Sequence, residues 1–137
     1  MKLNPHLSFN GQCEEAFQFY QRCLGGKIVA MLPYGDTPMA EQVPPDWRKK
    51  IIHATLDLSE VRLTGADVSD DQGYQRPQGF SVLLSPATAA EADRVFASLS
   101  ENGTVQMAIQ ETFWAQRFGM VVDRFGVPWM VSCGNPA

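Results

Sequence analysis

Apolar positions recur every three to four residues in two stretches of the chain. Ala16, Phe19, Tyr20 and Cys23 stand at the i, i+3, i+4, i+7 spacing of one helical face and predict a helix over 13–24. Asn10 or Gly11 is placed to cap its start, and Gly25-Gly26 to stop it in a left-handed turn. Ala92, Val95, Phe96 and Leu99 repeat the pattern and predict a second helix over 89–101. Thr88 with Glu91 three positions on reads as a capping box, and Asn102-Gly103 as the stop. The two faces coincide at a constant offset of 76 residues: Glu15 on Glu91, Ala16 on Ala92, Phe19 on Val95, Tyr20 on Phe96, Cys23 on Leu99.

Shorter apolar or alternating runs flank both helices and predict strands. One precedes each helix (6–9 and 80–85) and one follows each (27–32 and 104–109). Two more close each half: 51–58 and 61–68 across Ser59-Glu60, then 118–122 and 128–133 across Asp123-Arg124-Phe125-Gly126. Each half therefore reads strand, helix, strand, strand, strand. Roughly 65 residues bury little core alone. The expected fold class is α+β, two βαβββ modules forming a curved half-barrel sheet with the helices outside. Module 1 is expected over about 1–70, a polar linker with Gly73 and Pro77 over about 70–78, and module 2 over about 79–137. A dimeric ferredoxin-like barrel is the competing arrangement, and the third strand after each helix counts against it. The 33–48 stretch carries Pro33, Pro38, Pro44 and Pro45 and is too proline-rich for a central strand or helix. It is expected as a surface excursion pinned by Tyr34 and Trp47, with a lid or a dimer contact as the functional readings.

Composition narrows the partners. The 137 residues carry a net charge of -4 at a pI near 5.0, and the one basic run is Arg48-Lys49-Lys50, so no nucleic-acid footprint is expected. No apolar run reaches membrane-spanning length and 1–6 lacks a signal-peptide core, so the expected location is cytoplasmic, with no membrane partner. Cys13, Cys23 and Cys133 have no CxxC spacing and read as small apolar residues.

Two runs carry a family resemblance over essentially the whole chain. The first is Leu7-Ser8-Phe9-Asn10-Gly11, then Glu14-Glu15-Ala16-Phe17 with Phe19-Tyr20 and Leu24-Gly25-Gly26. The second is Thr112-Phe113-Trp114-Ala115-Gln116-Arg117-Phe118-Gly119 with Asp123-Arg124-Phe125-Gly126-Val127-Pro128-Trp129. In this order they resemble PhnB-like proteins of the glyoxalase, bleomycin-resistance and extradiol-dioxygenase (vicinal oxygen chelate) superfamily. The resemblance implies paired βαβββ modules and a homodimer. Such sequences often carry the label demethylubiquinone methyltransferase. This chain has no glycine-rich strand-to-helix turn for adenosylmethionine and is too short for a parallel nucleotide-binding sheet. The superfamily's enzymes polarise oxygens with a divalent metal. Carried over residue by residue, its ligand positions fall at Asn4 or His6, near Thr64, at Phe80 or Ser81, and at Met130. Only the first holds a plausible ligand, so no metal is expected and the cofactor expectation is none, with a divalent metal in a rearranged site as the alternative.

Alternation over 51–58 puts Ile52, Ala54, Leu56 and Leu58 on one face and His53, Thr55 and Asp57 on the other; over 6–9 it separates Leu7 and Phe9 from His6 and Ser8. His6 and His53 are thus the candidate catalytic residues, since an imidazole is suited to moving protons near neutral pH. Thr55, Glu111, Trp114, Phe118 and Trp129 are the candidate ligand-binding residues: aromatic walls with a few polar groups describe a small-molecule pocket. The favoured function is binding of a small molecule in a concave pocket between the modules without the usual metal. The alternatives are a metal-dependent lyase, isomerase or dioxygenase of glyoxalase type, and a dimeric protein-interaction module.

Overall fold

The computed structural model describes residues 1–135. Two compact units follow one another, Met1–Gln75 and the chain from Arg76 onward. The first contains β1 (His6–Phe9), α1 (Cys13–Leu24), β2 (Lys27–Pro33), β3 (Ile51–Asp57) and β4 (Arg62–Asp67). The second contains β5 (Val82–Leu84), α2 (Ala89–Ser100), β6 (Thr104–Gln110), β7 (Arg117–Val122) and β8 (Pro128–Cys133). Each unit builds a four-stranded mixed sheet, in the order β1-β4-β3-β2 and β5-β8-β7-β6. In both, the first strand pairs parallel with the last and the other pairs are antiparallel. The fold is α+β, and neither sheet closes into a barrel. Among the described residues no helix is long and apolar enough to cross a membrane.

The helices follow the apolar spacing. In α1, Ala16, Phe19, Tyr20 and Cys23 are buried, and in α2 Ala92, Val95, Phe96 and Leu99. The Thr88 hydroxyl accepts the Glu91 N–H at 3.1 Å, and Asn102, at φ 57, makes the left-handed turn behind α2. The start of α1 corrects the expected cap. Gln12 occupies that position without a side-chain bond, and Asn10 instead donates to Asp70. The Gly11 and Cys13 N–H groups are taken, each at 2.9 Å, by the buried carboxylate of Asp67 at the end of β4. A negative charge there suits the positive end of the helix. The second Asp67 oxygen accepts the Ile51 N–H at 2.8 Å, tying β3 to the same carboxylate.

Close approach of helix to sheet explains two glycines. A Cβ on Gly65 would stand 2.6 Å from the Phe17 ring, and one on Gly119 2.5 Å from the Phe96 ring. The stretch between β2 and β3 forms three 3-10 turns, Tyr34–Asp36, Ala40–Gln42 and Pro45–Trp47. Tyr34, 5% exposed, anchors it by donating its hydroxyl to the Asp67 carbonyl at 2.7 Å. The strand expected over 80–85 is shorter than its pattern. β5 pairs only with β8, over Val82 to Leu84, and Phe80 lies exposed ahead of it.

Candidate functional site

The face of the first sheet turned away from α1 carries a polar row. Alternation buries Leu7, Phe9, Ala54 and Leu56 and leaves His6 and His53 exposed on the other side. Register then aligns the row: His6 of β1 faces Thr64 of β4, and Thr64 faces Thr55 of β3. His6 Nδ1 lies 2.7 Å from the Thr64 hydroxyl, and His53 Nε2 lies 3.1 Å from the Thr55 hydroxyl. The sequence placed both histidines and Thr55 on one face, and the structure brings Thr64 between them. Burial lowers the His6 pKa, and the nearby His53 lowers it further. Thr55 is only 4% exposed, because the strand pairing and the His53 ring cover it. Leu32, half-exposed, pairs with His53 and gives the row an apolar neighbour. Ile51 departs from the alternation: it is buried although it shares the parity of His53, at a point where the β2 pairing shifts register.

The other candidates lie in the second unit and separate into two groups. Gly119 faces Phe96, so its neighbour Phe118 points away from α2. Phe118 is covered by Trp114, with ring centroids 5.2 Å apart, and Trp114 meets Phe113 at 4.7 Å. Phe113 is 87% exposed and Trp114 46%, while Phe118 beneath them is buried, so the outer two rings present an open ledge. Phe113 is the member the sequence reading passed over; its signal was its place beside Trp114 in the second signature run. Glu111 is exposed and makes no hydrogen bond or ion pair among the described residues. Trp129 belongs to the core instead. It is 1% exposed, faces α2, and donates its indole N–H to Asp123 at 2.8 Å. The same carboxylate accepts the Phe125 and Val127 N–H groups, so Asp123 and Trp129 together shape the β7–β8 turn.

At the positions carried over from metal-binding relatives, Asn4 is occupied in structure: its side-chain oxygen accepts the Arg62 N–H at 2.9 Å. His6 and Thr64 are bonded to each other. Phe80, Ser81 and Met130 line a cleft of about 510 Å³ with Gln106 and Pro128. Among the described residues no three His, Cys, Asp or Glu side chains converge as a metal would require. In the first unit a separate cleft of about 390 Å³ runs beside Trp47, Asp46 and Asp71. Cys13 is fully buried; burial pushes its thiol pKa up, and the Asp67 and Glu14 charges add to the rise, which favours the unreactive thiol form.

Comparison with known proteins places this architecture. A family model described as 3-demethylubiquinone-9 3-methyltransferase matches residues 1–132. Protein YjdN of Escherichia coli (strain K12) is 40% identical, over 96% of this chain and 95% of its own. The crystal structure of protein PA1353 from Pseudomonas aeruginosa superposes with a TM-score of 0.89 at 46% identity, covering 97% of each chain. The PhnB protein from Bacillus cereus gives 0.81 at 25% identity, over 98% of this chain and all (100%) of its own. A glyoxalase-related enzyme from Fulvimarina pelagi shares the fold at a TM-score of 0.60 and 14% identity, over 98% of this chain and 89% of that one. With its two βαβββ units and a family match over nearly its whole length, the chain belongs to the PhnB-like family that carries this methyltransferase description, and it shares its fold with a glyoxalase-related enzyme.

Proposed function

We propose that the chain binds a small molecule on the α1-free face of the first sheet, without a divalent metal, with His6 and His53 as the groups that orient it or exchange a proton with it. The observation that carries this reading is the row His53, Thr55, Thr64, His6, in which two exposed imidazoles are each held by a threonine hydroxyl. Rings held by hydrogen bonds are pre-organised for a ligand, which lowers the cost of binding. Leu32 offers an apolar edge for the rest of the molecule. The donor chemistry supports a metal-free site: the carried-over positions supply one imidazole, threonine and serine hydroxyls and a thioether, with no carboxylate. The methyltransferase activity in the family's description finds no support in either sheet, since neither is the parallel, glycine-turned sheet that holds a nucleotide cofactor. The same reading has the chain acting as a cytoplasmic homodimer. Cys13, Cys23 and Cys133 are buried and form no disulfide among the described residues, which supports a reducing compartment. Exposed Phe80, Leu83, Phe113 and Trp114 in the second unit support a self-association surface.

The test begins with the molecule that co-purifies, released by denaturation and identified by mass spectrometry. His53→Ala is expected to weaken its binding about tenfold or more, that is by at least about 1.4 kcal/mol, with the melting temperature unchanged. A lower melting temperature with unchanged affinity overturns the site.

A further inference from the structure

The hydroxyl protons of the row decide which way its imidazoles can bond. A threonine hydroxyl has one proton to give. Thr64 has two acceptors in reach: His6 Nδ1 at 2.7 Å and the Pro5 carbonyl at 3.3 Å. The Pro5 carbonyl already takes the Thr64 backbone N–H at 3.0 Å. A separation of 2.7 Å is the usual length for a hydroxyl donor and short for an N–H donor to a neutral oxygen. The Thr64 proton therefore goes to Nδ1, and the ring's own proton sits on Nε2. At Thr55 burial decides the direction, since the 3.1 Å separation does not mark the hydroxyl as the donor. The Thr55 hydroxyl is buried, and His53 Nε2 is the partner the structure gives it. If Nε2 donated to Thr55, the hydroxyl proton would be stranded in the interior, a cost of the kind buried polar groups avoid. Thr55 therefore donates to Nε2, and the His53 proton sits on Nδ1.

We propose that Thr64 and Thr55 are positioning residues that turn two N–H donors outward, His6 through Nε2 and His53 through Nδ1, and that this pair receives a carboxylate of a small molecule. The proposal rests on the row being the binding site and names its ligand class. Outward N–H groups bond an oxygen acceptor and offer no lone pair to a metal. Arg62, two residues from Thr64 on the same face of β4, adds positive charge, partly offset by Asp57 at 3.9 Å. Burial, and then His53, lower the His6 pKa, the direction that favours the neutral ring.

Long-range proton–nitrogen correlation spectra of the full chain, labelled with 15N at histidine, read both tautomers. His53 is the sharper reporter, because a histidine side chain in water favours the Nε2–H form. The expected spectrum shows His53 protonated at Nδ1 and His6 at Nε2. Thr55→Val should return His53 to the Nε2–H form, and Thr55→Ser should retain Nδ1–H. His53 as Nε2–H in the unaltered chain, or the same tautomer in Thr55→Val, overturns the assignment while leaving the His53→Ala binding test intact. Benzoate is the ligand probe, with benzyl alcohol as its uncharged counterpart. Benzoate should move both outward N–H nitrogens and benzyl alcohol neither, with benzoate affinity at least several-fold weaker in Thr55→Val. Correct tautomers with no response to millimolar benzoate overturn the carboxylate class.

Discussion

Two kinds of side chain in this protein look alike in sequence and differ in what surrounds them. His6 and His53 stand on an open sheet face with one ring nitrogen each held by a threonine. Trp129 and Asp123 are polar-tipped residues too, but they satisfy each other inside the core. The state of His6 is open to measurement. Burial and then the His53 charge lower its pKa in the folded chain, whereas the unfolded chain titrates near the ordinary value of about 6.5. Between those two values the unfolded state holds more protons than the native state, so stability falls as pH drops through that window and is unaffected above it. The melting temperature of the unaltered chain should therefore fall more steeply from about pH 7 to pH 5 than that of His6→Gln. Equal slopes in the two proteins would remove the shift.

Strands and helices are tied together by groups distant in sequence. Asp67 closes β4, and its carboxylate takes the N–H groups of Gly11, Cys13 and Ile51, joining the start of α1 to the start of β3. Its carbonyl takes the Tyr34 hydroxyl and so anchors the proline-rich excursion as well. Hydrogen bonds to a charged acceptor contribute about 1.5–3 kcal/mol each, and stranded buried donors add their own desolvation cost. Asp67→Ala should destabilise by about 3 kcal/mol or more, read from urea unfolding. Asp67→Asn, which keeps one acceptor oxygen, should fall between. A loss below about 1 kcal/mol for the alanine variant would mean that water replaces the carboxylate.

Size and surface bear on assembly. Each unit builds its own four-stranded sheet over one helix, a small core for a stable body. The second unit leaves Phe80, Leu83, Phe113 and Trp114 in solvent. A mass measured under native conditions should be twice that of the 15.2 kDa chain. On protein purified without chelator, the same spectrum should show Zn, Ni, Mn or Fe far below one ion per chain. A monomer at micromolar concentration contradicts the dimer. Near-unit metal that survives dialysis contradicts the metal-free site and returns the metal-dependent alternative.

Periodicity carried most of the element order. The α1 bounds and the β1 and β8 bounds follow directly from the apolar spacing, because burial on one face imposes a period on the residues that supply it. The same alternation separated His6, His53 and Thr55 from the core-facing residues. What alternation cannot carry is which distant residues meet. The α1 cap fell to Asp67, over fifty residues beyond the helix start, because a buried carboxylate bonds whatever donors the fold brings to it. Phe118 and Trp129 look equivalent as strand aromatics, yet register sends one away from α2 and the other into the core, where Asp123 claims its indole N–H. Thr64, passed over as an empty ligand position, became the partner of His6 once parallel pairing of β1 with β4 set the two side by side. Pattern along the chain reports which face a residue takes, and pairing between strands selects its neighbour there, since hydrogen-bond register is fixed only when the whole sheet assembles.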